Sequence, residues 1–109
     1  MEKEEAERKR QEEERRREER RQRYNAEVDR TLELIHEADD YQIACKIRSY
    51  IDGMIATHPK DEIDEWVRWA SKKADWFDPV ISREDEILGK RKHGNDSEQK
   101  KLEHKYYRW

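Results

Sequence analysis

The sequence predicts an all-α protein in which a long charged single helix continues into a small three-helix bundle with a short fourth helix. Three observations predict this fold. Nineteen of the 22 residues from 2 to 23 are charged, and no glycine or proline interrupts them. From Tyr24 onward, apolar residues recur at steps of three and four, which is the spacing of one helix face. Two prolines, Pro59 and Pro79, then divide the apolar part of the chain.

Residues 1–23 form the first predicted part of the chain. They consist mainly of Glu, Arg, Lys and Gln, which favour helix. Acids often stand four residues before bases, as in Glu12–Arg16, and each such pair stabilises a helix by about 0.2–0.5 kcal/mol. A coiled coil needs apolar residues at two heptad positions, and only Ala6 is available here. The segment is therefore predicted to be a solvated single helix, with disorder as the less favoured alternative.

Residues 24–89 form the predicted bundle. Its first helix continues the charged one, with an apolar stripe from Tyr24 to Ile35, and ends near Ala38. A second helix is expected over 40–56, with Asp39 or Asp40 as its cap, because a short carboxylate can accept hydrogen bonds from the free amides at a helix start.

The third and fourth predicted helices depend on breaker and cap residues. The third runs from Pro59 to about Phe77 and ends at Asp78-Pro79, since the residue before a proline avoids helical geometry. The short fourth helix covers 83–88, with Ser82 and Asp85 as a capping box and Gly89 as its closing residue.

Two tryptophans do not fit the apolar face of the third helix. That face contains Ile63, Ala70 and Ala74, whereas Trp69 and Trp76 lie seven residues apart on a second line. Aromatic residues dominate protein-protein hot spots, so both are candidate partner-binding residues, together with Tyr106 and Trp109. The alternative is that this second line packs beneath the short helix and the tail.

Residues 90–109 form a basic and aromatic tail, with seven bases and three acids. Interleaved cations and aromatic rings can grip phosphates and stack on bases. The candidate nucleic-acid-binding residues are Lys90, Arg91, Lys92, Lys100, Lys101 and Arg108. The alternative is a solvated, poorly ordered C-terminus.

Catalytic and metal-binding patterns are missing from the sequence. None of the four histidines stands three or four residues from another histidine or a cysteine, and Cys45 is the only cysteine. Neither a glycine-rich phosphate loop nor a Ser-His-Asp spacing is present. We therefore predict no catalytic, cofactor or metal residues, no small-molecule substrate and no enzyme. The lack of a long apolar stretch predicts no membrane association and a cytoplasmic location.

Two motifs carry a resemblance to other proteins. Residues 38–50 read A-x-x-Y-x-x-A-x-x-I-R-x-Y, and residues 66–79 read W-V-R-W-A-x-x-x-A-D-W-F-D-P. With the charged helix before them, these motifs resemble the C-terminal region of a group of bacterial proteins of uncharacterised activity. The resemblance covers residues 1–80. It implies that the chain is the C-terminal part of a longer protein, and it assigns no functional residue.

These observations predict a non-enzymatic interaction or scaffolding module that binds a protein partner or a second copy of itself. The alternative prediction is a nucleic-acid-binding accessory module that uses the basic aromatic tail.

Overall fold

The computed structural model describes residues 2–104 and contains two α-helices. Helix α1 spans Glu2–Thr57 and helix α2 spans Lys60–Phe77. Over the described residues there is no β-strand, only an isolated bridge between Asp85 and Gly89. The all-α prediction is confirmed, whereas the three-helix bundle with a fourth helix is wrong. The chain divides into two compact units, one up to Leu32 and one from Glu33 onward, which are described separately.

The first unit is helical, as predicted for residues 2–23, and its described side chains are exposed. Its ion pairs follow the helical spacing: Arg21 lies 3.0 Å from Glu18. The predicted apolar stripe starts in this unit, but Tyr24 and Val28 are exposed rather than buried. Helical propensity and local charge pairs therefore account for this part of α1.

The second unit contains a helical hairpin made by the later part of α1 and by α2. His58 and Pro59 join the two helices. Pro59 has extended backbone (φ −62°, ψ 138°) and stands directly before α2, where its missing amide is not needed. Asp78 is also extended (φ −74°, ψ 113°), because Pro79 follows it. Both ends of α2 lie within one residue of the prediction.

Small and branched apolar residues form the core between the two helices. Ala44 of α1 and Ala74 of α2 are fully buried, and Ile51, Ile63 and Ala70 are nearly so. Alanine at facing positions allows the two helices to approach closely, and each buried methyl or methylene contributes about 0.8 kcal/mol.

Contacts along the hairpin show that the helices are antiparallel. Near the connecting turn, the rings of Tyr50 and Trp66 meet edge to face with centroids 5.7 Å apart. Farther from the turn, the Arg48 guanidinium donates to Asp75 at 3.1 Å and to Asp78 at 2.7 Å. The Asp78 carboxylate thus ties the end of α2 to the last third of α1.

The predicted boundary near Ala38 and Asp39 is wrong, because α1 runs through it without a break. Aspartate costs a helix interior less than about 0.7 kcal/mol relative to alanine, so two aspartates alone do not end a helix. The first glycine of the chain is Gly53, and no proline precedes Pro59. Asp40 therefore acts within a continuous helix rather than as a cap.

The predicted fourth helix over 83–88 is also wrong, because residues 83 and 84 are irregular and residues 85–89 form a closed turn. The amide of Asp85 donates to the Gly89 carbonyl at 3.0 Å, and the Gly89 amide donates back at 2.9 Å. Gly89 has a φ of 78°, a left-handed conformation that costs glycine little. The Asp85 carboxylate accepts hydrogen bonds from the amides of Ile87 and Leu88, both at 2.9 Å. Asp85 thus supports its own turn instead of a capping box with Ser82.

Lowering the pH should reveal how much the turn from Asp85 to Gly89 contributes to the stability of the fold. Hydrogen bonds from Lys73 and from the Leu88 amide lower the pKa of Asp85 to about 2, below the usual 3.8. A carboxylate whose pKa is lower in the folded protein than in the unfolded chain stabilises the fold. This stabilisation is fully present when the pH is above the unfolded-state pKa, and it is lost as the pH falls through the folded-state pKa. We expect Asp85→Asn to lower the free energy of unfolding by about 1–2 kcal/mol at pH 7.

Urea unfolding at pH 7, 4 and 2 measures this effect. The difference between the wild type and Asp85→Asn should shrink as the pH falls from 4 to 2, because the wild-type carboxylate then takes up its proton. The exposed neighbour Glu84 supplies the control, as Glu84→Gln should change little at any pH. A difference of equal size at pH 7 and pH 2 would contradict the assignment.

Candidate functional site

A buried carboxylate on α1 organises the residues that follow α2. Asp40 is 1% exposed and accepts hydrogen bonds from the side chains of Arg91, His93 and Lys100. Arg91 donates from Nε to Oδ2 at 2.8 Å and from Nη2 to Oδ1 at 3.1 Å. His93 Nδ1 lies 2.8 Å from Oδ2, and Lys100 Nζ lies 3.1 Å from Oδ1. We call these four residues the Asp40 cluster.

The guanidinium of Arg91 also lies against the aromatic end of α2. Its central carbon is 5.0 Å from the ring centroid of Trp76 and 4.6 Å from that of Phe77. These two rings meet edge to face at 5.0 Å, and the Trp76 indole Nε1 donates to the Gly89 carbonyl at 2.8 Å. Cation–π contacts of this kind strengthen when the cation is desolvated, and the Arg91 side chain is only 7% exposed.

The ammonium of Lys100 uses its three hydrogen-bond donors inside the unit. Besides Asp40, it donates to the carbonyls of His36 at 3.1 Å and His93 at 3.2 Å. The Lys100 side chain is 6% exposed, so its hydration shell has been replaced by these acceptors. Lys100 therefore fastens the segment after α2 to the backbone of α1.

The charge balance of the Asp40 cluster favours an ionised aspartate. Burial raises the pKa of Asp40, but the hydrogen bonds from Arg91, His93 and Lys100 outweigh that effect, so the pKa lies below its usual value of 3.8. One carboxylate then faces the Arg91 guanidinium and the Lys100 ammonium, so these three groups together carry a net positive charge.

Five of the six candidate nucleic-acid-binding residues surround one cavity. We call it the basic cavity. Its volume is about 270 Å³, and its cationic lining residues are Lys90, Arg91, Lys92, Lys100 and Lys101. Arg91 and Lys100 also belong to the Asp40 cluster, whereas Lys90, Lys92 and Lys101 are exposed. The sixth candidate, Arg108, lies outside the described residues.

The two candidate tryptophans of α2 differ in burial. Trp69 is 56% exposed, whereas Trp76 is 3% exposed and is a core residue. The burial of Trp76 agrees with the alternative interpretation, in which this side of α2 packs beneath the residues that follow the helix. The other candidates, Tyr106 and Trp109, lie outside the described residues.

Trp69 borders a partly open apolar groove of about 550 Å³ between the hairpin and the segment after α2. Its described lining residues come from both helices and from the later segment: Ile47, Tyr50, Trp66, Trp69, Ala70, Lys73, Phe77, Ile87, Leu88 and Leu102. Lys73 is the one charged residue among them, and it is paired with Asp85. Several lining side chains are well exposed, including Ile87 at 90% and Leu102 at 62%. We call this feature the apolar groove.

Comparison with known proteins was made for the whole chain. No family model, curated protein or solved structure matches it. The resemblance in residues 1–80 therefore stays a prediction, and functional reasoning depends on the geometry of the chain itself.

Neither a metal-binding group nor a membrane-spanning helix occurs among the described residues. Between residues 2 and 104, no group of three His, Cys, Asp or Glu side chains is placed to hold a metal ion. Over the same residues, neither helix is long and apolar enough to cross a membrane.

Sequence reasoning missed the Asp40 cluster, although a signal for it exists. Asp40, Ala44, Ile47 and Ile51 follow one another at steps of four, three and four residues. An acid at a core position of a continuous helix indicates a buried partner, because an unpaired buried charge is costly. The assumed helix boundary at Asp39 and Asp40 hid this signal.

Proposed function

We propose that this chain is a non-enzymatic interaction module whose apolar groove binds an apolar segment of a partner protein. The observation that carries the proposal is the exposed indole of Trp69 beside the groove. Trp and Tyr anchor many protein interfaces, and exposed apolar surface of this kind in a small chain is typical of a binding site.

The chemistry of the groove favours polypeptide side chains over a polar small molecule. Small-molecule sites combine apolar walls with a few polar groups that orient the ligand. Among the described lining residues, the ammonium of Lys73 is the only charged group, and Asp85 already neutralises it. Apolar side chains from a helix or an extended segment need no such orienting group, and a volume of about 550 Å³ accommodates two or three of them.

The resemblance in residues 1–80 adds a second element to the proposal. It implies that the module is the C-terminal part of a longer bacterial protein, so that the charged start of α1 would connect it to another domain. In that arrangement the module would serve as a scaffold that brings its partner to the rest of the protein.

Selection of peptides against the whole chain tests the proposal. We expect a displayed random library to yield peptides with large apolar residues, and Trp69→Ala to weaken their binding at least tenfold, or about 1.4 kcal/mol. Tyr24→Ala is the matched control, because it removes an exposed aromatic side chain that does not line the groove. Binding can be measured by fluorescence anisotropy of labelled peptides.

Two outcomes would contradict the proposal. One is that Trp69→Ala and Tyr24→Ala weaken the selected peptides equally. The other is that sedimentation velocity finds self-association which Trp69→Ala abolishes, since this result assigns the groove to a second copy of the chain instead of a different partner.

A second candidate function is a nucleic-acid-binding accessory module. The observation that favours it is the gathering of five predicted cations around the basic cavity. Against it, Lys100 directs its donors to α1, and Arg91 directs three of its hydrogen bonds to Asp40 and the Lys100 carbonyl. Two of the five cations are thus largely occupied, which leaves the three exposed lysines for contacts with a strand.

A further inference from the structure

We infer that the basic cavity is a binding site for a small phosphate-bearing anion. The inference goes beyond the proposed function, because this cavity is separate from the apolar groove and shares only Leu102 with it among the described residues. It depends on the charges around the cavity, on the donors that remain available, and on the size of the space.

The lining of the cavity has a strong excess of positive charge. Five of its described lining residues are Lys or Arg, and none is an acid. The residues after His104 contain no acid either. One lining cation, Lys101, forms a 3.0 Å pair with Glu98, but both side chains are more than half exposed and such a pair contributes little. The protein therefore does not neutralise the positive charge around the cavity, and this charge would attract an anion.

The buried Asp40 cluster adds to this field. Asp40 balances only one of the two positive charges of Arg91 and Lys100. Their side chains are at least nine-tenths buried, so water screens the remaining charge less than it would at an exposed site. A negative ligand at the mouth of the cavity would offset the excess charge without disturbing the contacts to Asp40.

The donors available to such a ligand come from the exposed part of the lining. Lys90 and Lys92 form no ion pair with any acid among the described residues. Asn95 and Gln99 add side-chain amides to the same lining. Ammonium and amide N–H groups are donors to which phosphate oxygens bind.

The size of the cavity suits a small phosphate ligand. About 270 Å³ lies below the roughly 300–1,000 Å³ of sites for drug-sized ligands. The space accommodates one or two phosphate groups. Inorganic phosphate, pyrophosphate and a phosphomonoester share this chemistry.

Calorimetric titration of the full chain with inorganic pyrophosphate at about 50 mM NaCl tests the inference. We expect saturable binding with a Kd of about 1 mM or tighter. The double variant Lys90→Gln with Lys92→Gln should weaken binding at least about tenfold, because two charge-assisted contacts are lost. Both lysines are exposed, so the fold should be retained, and circular dichroism can verify this.

The matched control changes the net charge by the same amount elsewhere in the second unit. Lys46→Gln with Lys72→Gln removes two exposed lysines that do not line the cavity. We expect this control to bind pyrophosphate within about twofold of the wild type. Equal weakening in both double variants would overturn the inference, since it would mean that net charge alone attracts the anion.

Two additional titrations distinguish a small phosphate ligand from a nucleic acid strand. Inorganic phosphate should compete with pyrophosphate at the same site. A ten-nucleotide single strand without terminal phosphates should bind more weakly than pyrophosphate. Tighter binding of the strand, also lost with Lys90→Gln and Lys92→Gln, would overturn the inference and support the nucleic-acid candidate. Absence of any pyrophosphate binding at 50 mM NaCl would overturn it as well.

Discussion

Asp40→Asn should lower the free energy of unfolding of the second unit by about 3–5 kcal/mol, because the change leaves Arg91 and Lys100 buried without a counter-charge. The side chains have nearly the same shape, so the loss arises from charge and not from packing. Urea unfolding at pH 7, followed by tryptophan fluorescence, measures the effect.

The neighbouring residue supplies the control for this experiment. Asp39→Asn makes the same chemical change at an exposed position and should stay within about 0.5 kcal/mol of the wild type. Adding Arg91→Met and Lys100→Met to Asp40→Leu should recover part of the lost stability, because an apolar cluster leaves no charge unpaired. If Asp40→Asn and Asp39→Asn are equally stable, the Asp40 cluster does not hold the unit together.

Trp76→Ala should destabilise the second unit by about 3–5 kcal/mol, whereas Trp69→Ala should cost about 1 kcal/mol or less. Trp76 is 3% exposed, and its loss removes the contact with Phe77, the Arg91 stack and the hydrogen bond to Gly89. Trp69 is 56% exposed and has less packing to lose.

Parallel urea unfolding of the two variants decides between these roles. The comparison is matched, because both changes replace tryptophan by alanine in the same helix, seven residues apart. Circular dichroism can follow unfolding in both, since each variant loses one fluorophore. A Trp69→Ala variant as unstable as Trp76→Ala would make Trp69 a core residue and would remove the basis for binding at the apolar groove.

The parts of the fold that sequence reasoning predicted well are those fixed by local chemistry. Proline limits the backbone of its own residue and of the one before it, so Pro59 and Pro79 placed both ends of α2. The composition of residues 2–23 likewise predicted helix without reference to any contact.

The parts that were missed depend on partners distant in sequence. The partners of the Asp40 carboxylate are cations about 50 to 60 residues away, so its neighbours in the sequence do not reveal them. In the same way, Asp85 resembles a capping residue, but Lys73 and the Gly89 backbone hold it in a turn. Likewise, the sequence did not determine that Trp69 is exposed and Trp76 is buried, because the burial of both side chains depends on where residues 87–102 lie.

The Asp40 cluster joins residues that are far apart in the sequence, and this affects the order in which contacts form during folding. The hairpin contacts of Arg48 join residues 27 and 30 positions apart, whereas Asp40 joins residues 51, 53 and 60 positions away. The entropy cost of closing a loop grows with its length, and contacts that close long loops come late unless others have shortened the path. Once the hairpin has formed, Asp40 lies near the end of α2, and the remaining loop is short. We therefore expect the Asp40 cluster to assemble after the hairpin.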